Sequence, residues 1–186
     1  MLLFLTGLVI FFALHSLPMA RSLRQSALDR LGAGLYRVLF SALSLLGFAL
    51  MVSGYADAPR LVIWEPPAVM RFATLVLMLP VFVLLLATYL PGHIKAKTRN
   101  PTLLALKTWA LAHLLVNGDL PSMLLFGAFL AWGVIDLINV KRSGRAAQVP
   151  QPRGGFDVAA VAGGLTLYAL LVIDLHARLI GVALLP

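Results

Sequence analysis

A chain of 186 residues that is 61% hydrophobic and only 12% charged cannot hide its apolar surface inside one water-facing globule, so a lipid bilayer is its natural solvent. Its net charge of +8 is spread between long apolar runs rather than gathered on one patch, which argues against nucleic acid and for loops beside anionic headgroups. The sequence has no cysteine, which excludes disulfides, thiolate metal sites and cysteine nucleophiles.

A hydrocarbon core of ~30 Å needs about 20 apolar helical residues. Six stretches qualify: 2–19, 36–56, 68–90, 102–118, 120–139 and 158–182. The first looks like the hydrophobic part of a signal peptide. Its first positive charge, Arg21, follows the apolar run, and Ala13 and Ala20 make a poor cleavage site, so a retained span is expected. Pro80 in the third stretch predicts a kink that neighbouring helices satisfy. The fourth is short and contains Lys107, which must snorkel or be packed among other helices. The segment 143–156, "SGRAAQVPQPRGGF", is polar with Gly and Pro and is expected to be flexible without marking a domain boundary. The reading is an all-α integral membrane protein: one polytopic domain over 1–186, a bundle of about six transmembrane helices.

The loops predict orientation. Loop 20–37 carries Arg21, Arg24, Arg30 and Arg37 against Asp29, and loop 91–107 carries Lys95, Lys97, Arg99 and Lys107. Loop 140–157 carries Lys141, Arg142, Arg145 and Arg153 against Asp157. The alternate loops are balanced or acidic: Arg60 and Arg71 face Asp57 and Glu65, and the tight turn near 117–121 has only Asp119. Thus 12 of 15 basic residues fall on one side. By the positive-inside rule that side is cytoplasmic, and both termini face outward.

Ionisable groups inside spans are costly and each invites a functional reading. His15 lies near the cytoplasmic end of the first span, His93 just beyond the third, His113 within the fourth and His176 towards the outer end of the sixth. His93 reads first as an interfacial histidine, and His176 and Asp174 read equally well as outer-surface residues. Asp136 reads first as an ion-pair partner of Lys141 or Arg142. His15 and His113 have apolar neighbours on both sides and are the stronger candidates. Histidines on neighbouring helices are a common means of holding haem iron. Zinc has less support, for no HExxH is present; nor is there a GxSxG motif or a nucleotide-binding glycine fingerprint.

The segment "TRNPTLLALKTWALAHLLVNGD" at 98–119, with "ALHS" at 13–16 and the terminal "LHARLIGVALLP", resembles the NnrU family of bacterial membrane proteins over nearly the whole chain. The resemblance implies a bacterial inner-membrane protein acting in denitrification, in nitric-oxide or nitrite metabolism. NnrU proteins are related to 15-cis-zeta-carotene isomerase, a membrane haem b enzyme. Its two haem-ligating histidines match His15 and His113, which makes haem b the implied cofactor and these two the implied iron ligands. Trp109, Asn117, His93 and His176 are weaker site candidates. Trp109 and Trp132 would pack near the macrocycle, or serve as ordinary packing aromatics.

Two departures bear on the chemistry. Ala110 stands where the isomerase has a cysteine, and Asn100 where it has the histidine of "RHP". Helix rise places His15 about 9 Å from the cytoplasmic end of its span and His113 about 20 Å from that of its own. Depth alone pairs His15 with His93, and His113 with His176. Three functions stay open. One is a haem protein of nitrogen-oxide or related redox metabolism, including isomerisation of a hydrophobic small molecule. The second is a membrane methyltransferase, for "RNP" resembles the "RHP" of enzymes that use S-adenosylmethionine. The third is a non-catalytic assembly factor for a respiratory enzyme.

Overall fold

The computed structural model describes residues 1–144 and 151–185. Residues 145–150, with Arg145 and part of the segment expected to be flexible, lie outside the described residues, as does Pro186. The described residues fold as seven helices: α1 (Leu2–Ser16), α2 (Arg21–Ala56), α3 (Val69–Ala87), α4 (His93–Thr98), α5 (Pro101–Leu114), α6 (Leu120–Arg142) and α7 (Gly154–Ile180). Among the described residues the only β-pairing is an isolated bridge between Val62 and Asp119, so there is no sheet.

Among the described residues four helices, α2, α3, α6 and α7, are long and apolar enough to cross a membrane. The expected first and fourth spans are shorter than the composition suggested. With 15 and 14 residues, α1 and α5 rise about 21–23 Å, less than a hydrocarbon core of ~30 Å. At the end of α5 the Asn117 backbone N–H makes an i→i−4 bond to the His113 carbonyl at 3.0 Å, and the Asn117 side-chain amide donates to the same carbonyl at 2.8 Å. The expected loop 20–37 is also corrected, for α2 begins at Arg21 and is interrupted only at Gly32, with φ 71° and ψ 160°. Basic composition suggested a loop, yet most of these residues are adequate helix formers.

Two compact units result, residues 1–64 with 119–125, and residues 65–118 with 126–186. In the first, α1 packs on α2 through glycines, as helices do in lipid when backbones must approach closely. A Cβ on Gly7 would lie 2.7 Å from the Met51 Cα, and one on Gly54 would lie 2.6 Å from the Phe4 Cα. Phe4 is fully buried there, edge-on to Tyr55 with ring centroids 5.8 Å apart.

In the second unit α3 packs against both α5 and α7. Met78, Val81 and Leu84 line the buried face of α3, and Ala105 and Ala112, seven residues apart, line that of α5. On α7, Gly164 abuts the Val83 backbone; a Cβ there would lie 2.6 Å from the Val83 Cα. The Tyr168 hydroxyl donates to the Leu75 carbonyl at 2.9 Å, and the Thr74 hydroxyl to the Ala112 carbonyl at the same distance. Lys107 is packed rather than free in lipid, its stem lying against α6 at Gly133.

Candidate functional site

His113 occupies the last turn of α5. Its Nδ1–H donates to the Trp109 carbonyl one turn back, at 2.8 Å. Because a carbonyl can only accept, this bond fixes the neutral tautomer and makes Nε2 the lone-pair nitrogen. Aromatic rings hold the imidazole plane. Phe126 stacks on it at a centroid distance of 4.6 Å and 30°, while Trp109 lies at 5.1 Å. Trp109 is itself held edge-on by Phe126 at 5.1 Å and Phe129 at 5.4 Å. Asn117 bonds the His113 carbonyl, so it shapes the backbone rather than facing the ring from across a cavity.

His15, in the last turn of α1, repeats the device in the first unit. Its Nδ1–H donates to the Phe11 carbonyl at 2.8 Å, and the Phe11 ring stacks on it at 4.0 Å and 22°. Phe40 of α2 approaches from the side at 5.6 Å, and Tyr36 stacks on Phe40 at 6.2 Å. An aromatic residue four places before each histidine thus supplies both the carbonyl and a neighbouring ring. The strings "FFALH" at 11–15 and "WALAH" at 109–113 carry this signal in the sequence. Such an Nδ1–H to carbonyl bond is the usual outer-shell partner of a metal-ligating imidazole. The donor chemistry of both residues therefore fits that of imidazoles able to ligate a metal.

The other two histidines are engaged differently. His93 begins α4 and gives two bonds to one Asp157 oxygen, from its backbone N–H at 2.9 Å and its Nδ1 at 2.8 Å. The Ile94 N–H takes the other Asp157 oxygen at 2.8 Å. Asp157 therefore caps a short helix, and His93 belongs to that cap. Gly92 makes room for it, since a Cβ there would overlap the carboxylate.

His176 follows a π-helical turn at Leu171–Leu175 and donates from Nδ1 to the Val182 carbonyl at 2.7 Å. It is half-buried. Within the second unit, then, the structure brings Trp109, Asn117 and His113 together. His93 lies apart from them, in the α4 cap. Asp174 pairs with Arg178 at 2.6 Å on the exposed face of α7. Asp136 accepts a bond from Asn139 at 3.5 Å and, among the described residues, forms no ion pair with Lys141 or Arg142. Adjacency in sequence had suggested that pair. The Asn139 amide, one helical turn away, is instead its partner.

Sequence reading missed a polar cluster in the first unit. Asp119 caps α6, accepting from the Ser122 N–H at 3.2 Å and the Ser122 hydroxyl at 2.6 Å. Since that hydroxyl has spent its proton, Tyr55 donates to Ser122 Oγ at 2.7 Å. Arg60 pairs with Asp119 at 3.1 Å, lies 4.2 Å over the Tyr55 ring, and completes the set. Burial favours the neutral carboxyl of Asp119. The bonds from Ser122 and Arg60 outweigh it and hold the group below its ordinary value of 3.8. The Asp-x-x-Ser spacing of Asp119 and Ser122 is that of a helix cap, but nothing local links the pair to Tyr55 and Arg60.

Among the described residues no three His, Asp or Glu side chains converge as a metal cluster, so the chemistry on offer is that of single, oriented imidazoles. No curated protein and no solved structure matches the chain. The "WALAH" block and the helical architecture around it fall within residues 3–184, which match the family described as NnrU protein, and the chain belongs to that family.

Proposed function

We propose that this NnrU-family chain is a multi-pass protein of the bacterial inner membrane, with both termini outside, that binds haem b and acts in nitrogen-oxide or related redox metabolism. The observation that carries the reading is the state of His113. Its Nδ1–H is committed to the Trp109 carbonyl, its ring is fixed by Phe126, and its Nε2 is the nitrogen suited to iron. His15 is prepared in the same way and is the second proposed imidazole ligand. Bound haem would supply one-electron redox chemistry. The chain's part is to orient the imidazoles through their Nδ1–H bonds to backbone carbonyls and to surround them with aromatic carbon that limits access of water.

Under this reading the short helices α1 and α5 carry the proposed ligands, and the long helices cross the membrane. The basic loops face the cytoplasm, consistent with the alternation of charge along the chain.

The test is an absorption spectrum of protein purified from haem-replete cells. A Soret band is expected, shifted or weakened by His113→Ala and by His15→Ala and unchanged by His93→Ala. Purified protein without haem absorption overturns the reading.

A further inference from the structure

The helix α2 is two helical segments joined across a kink at Gly32. Gly32, at φ 71° and ψ 160°, occupies backbone space essentially closed to residues with a Cβ, and one such residue redirects a helix axis. Residues 33–56 after the break rise about 36 Å and can cross a bilayer alone. Residues 21–31 before it rise about 16 Å and are surplus to the crossing.

That surplus segment has two faces. Leu23, Ala27, Leu28 and Leu31 recur at i, i+4, i+5 and i+8, which makes one apolar stripe. Ser22, Gln25, Ser26 and Asp29 fall on the opposite side. Arg21 and Arg30 border the stripe on its two flanks. Arg24 falls within it beside Leu28 and Leu31, where its stem can follow apolar surface while its head reaches outward. The stripe is open: Leu23 is 62% exposed and Leu31 is 40% exposed. Asp29, the one acid, is engaged by the Gln25 amide at 2.8 Å. Among the described residues none of the three arginines enters an ion pair.

From these features we infer that residues 21–31 form an interfacial helix in the headgroup layer of the membrane that the chain spans. The leucine stripe faces the acyl chains, and Arg21, Arg24 and Arg30 bind the phosphates of anionic phospholipids. Exposed leucines flanked by arginines are the pattern of helices that lie in an interface rather than cross it. Three positive charges against one acid complement an anionic leaflet. The Gly32 break lets the segment leave the direction of the crossing helix at a single non-helical residue.

The cysteine-free sequence makes single-cysteine spin labels specific. The full-length variants L23C and S26C would be reconstituted in nanodiscs of phosphatidylcholine with or without phosphatidylglycerol. Collision with oxygen is then compared with collision with a water-soluble nickel chelate. In anionic discs the oxygen-to-nickel ratio at L23C is expected to exceed that at S26C several-fold. The excess should shrink in pure phosphatidylcholine, and also in anionic discs when R21Q, R24Q and R30Q are combined. Equal aqueous exposure of the two sites in anionic discs overturns the proposal, as does shielding of L23C from both reagents, which would mean that protein covers the stripe. A difference indifferent to lipid charge in the unsubstituted background overturns the anionic recognition, and that arm does not depend on the triple variant folding.

Discussion

Asp157 holds His93 twice through a single carboxylate oxygen, by the backbone N–H at 2.9 Å and by Nδ1 at 2.8 Å, although the two residues are 64 positions apart. With the Ile94 N–H on its other oxygen, this carboxylate does for α4 what a local capping residue usually does. A six-residue helix is marginal by itself, so α4 depends on a partner from α7. Asp157→Ala is expected to lower the thermal midpoint. It should also speed amide exchange across residues 93–98 while leaving α3 protected. Unchanged exchange in α4 would show that the cap does not govern it. Gly92→Ala should act in the same direction by pushing the carboxylate away.

The Asp119 cluster predicts a pH dependence. Folding lowers the carboxyl's affinity for protons, so the stabilisation is complete above the unfolded value near 3.8 and is lost as pH falls through the lower folded value. Asp119→Asn should therefore unfold at lower temperature than the parent at pH 6–7, and the gap should close as the pH drops below about 4. A gap that is constant with pH would contradict the assignment. Replacing this cap by alanine should cost about 1–2 kcal/mol at neutral pH.

Tyr55 and Ser122 form the hydroxyl chain leading to that carboxylate. Tyr55→Phe removes one hydrogen bond and is expected to cost about 1 kcal/mol. Ser122→Ala should cost more, since Ser122 is fully buried and its loss leaves both Tyr55 and Asp119 short of a partner. Thermal unfolding of the two variants side by side checks the order, and the reverse order would refute the donor assignment.

The glycines divide into contacts and spacers. Gly7 and Gly164 face neighbouring backbone at distances no side chain tolerates, so Gly7→Val and Gly164→Val should each cost about 1–3 kcal/mol or more through overpacking. Gly34 has open space where a Cβ would go, and Gly34→Ala should stabilise its helix by up to about 1 kcal/mol. Unfolding in a mild detergent distinguishes the classes. Equal effects at positions 34 and 164 would show that close helix contact is not what the buried glycine serves.

The sequence by itself determined the solvent and the main elements. Long apolar runs at 36–56, 68–90, 120–139 and 158–182 had to become helices, because a backbone in lipid has no water to satisfy it. It also marked His15 and His113 as unusual, since an imidazole amid apolar neighbours stands out in one dimension. Tertiary structure decided what each polar group is for. His93 and Asp136 are engaged by Asp157 and Asn139, and the Tyr55–Ser122–Asp119–Arg60 cluster joins segments whose spacing gives no hint of contact. Composition records that a polar residue needs a partner. Only packing says which one, because hydrogen bonds act over about 3 Å of space irrespective of separation along the chain. The break at Gly32 belongs to the same class: a glycine permits positive φ, and the surrounding fold determines whether it is used.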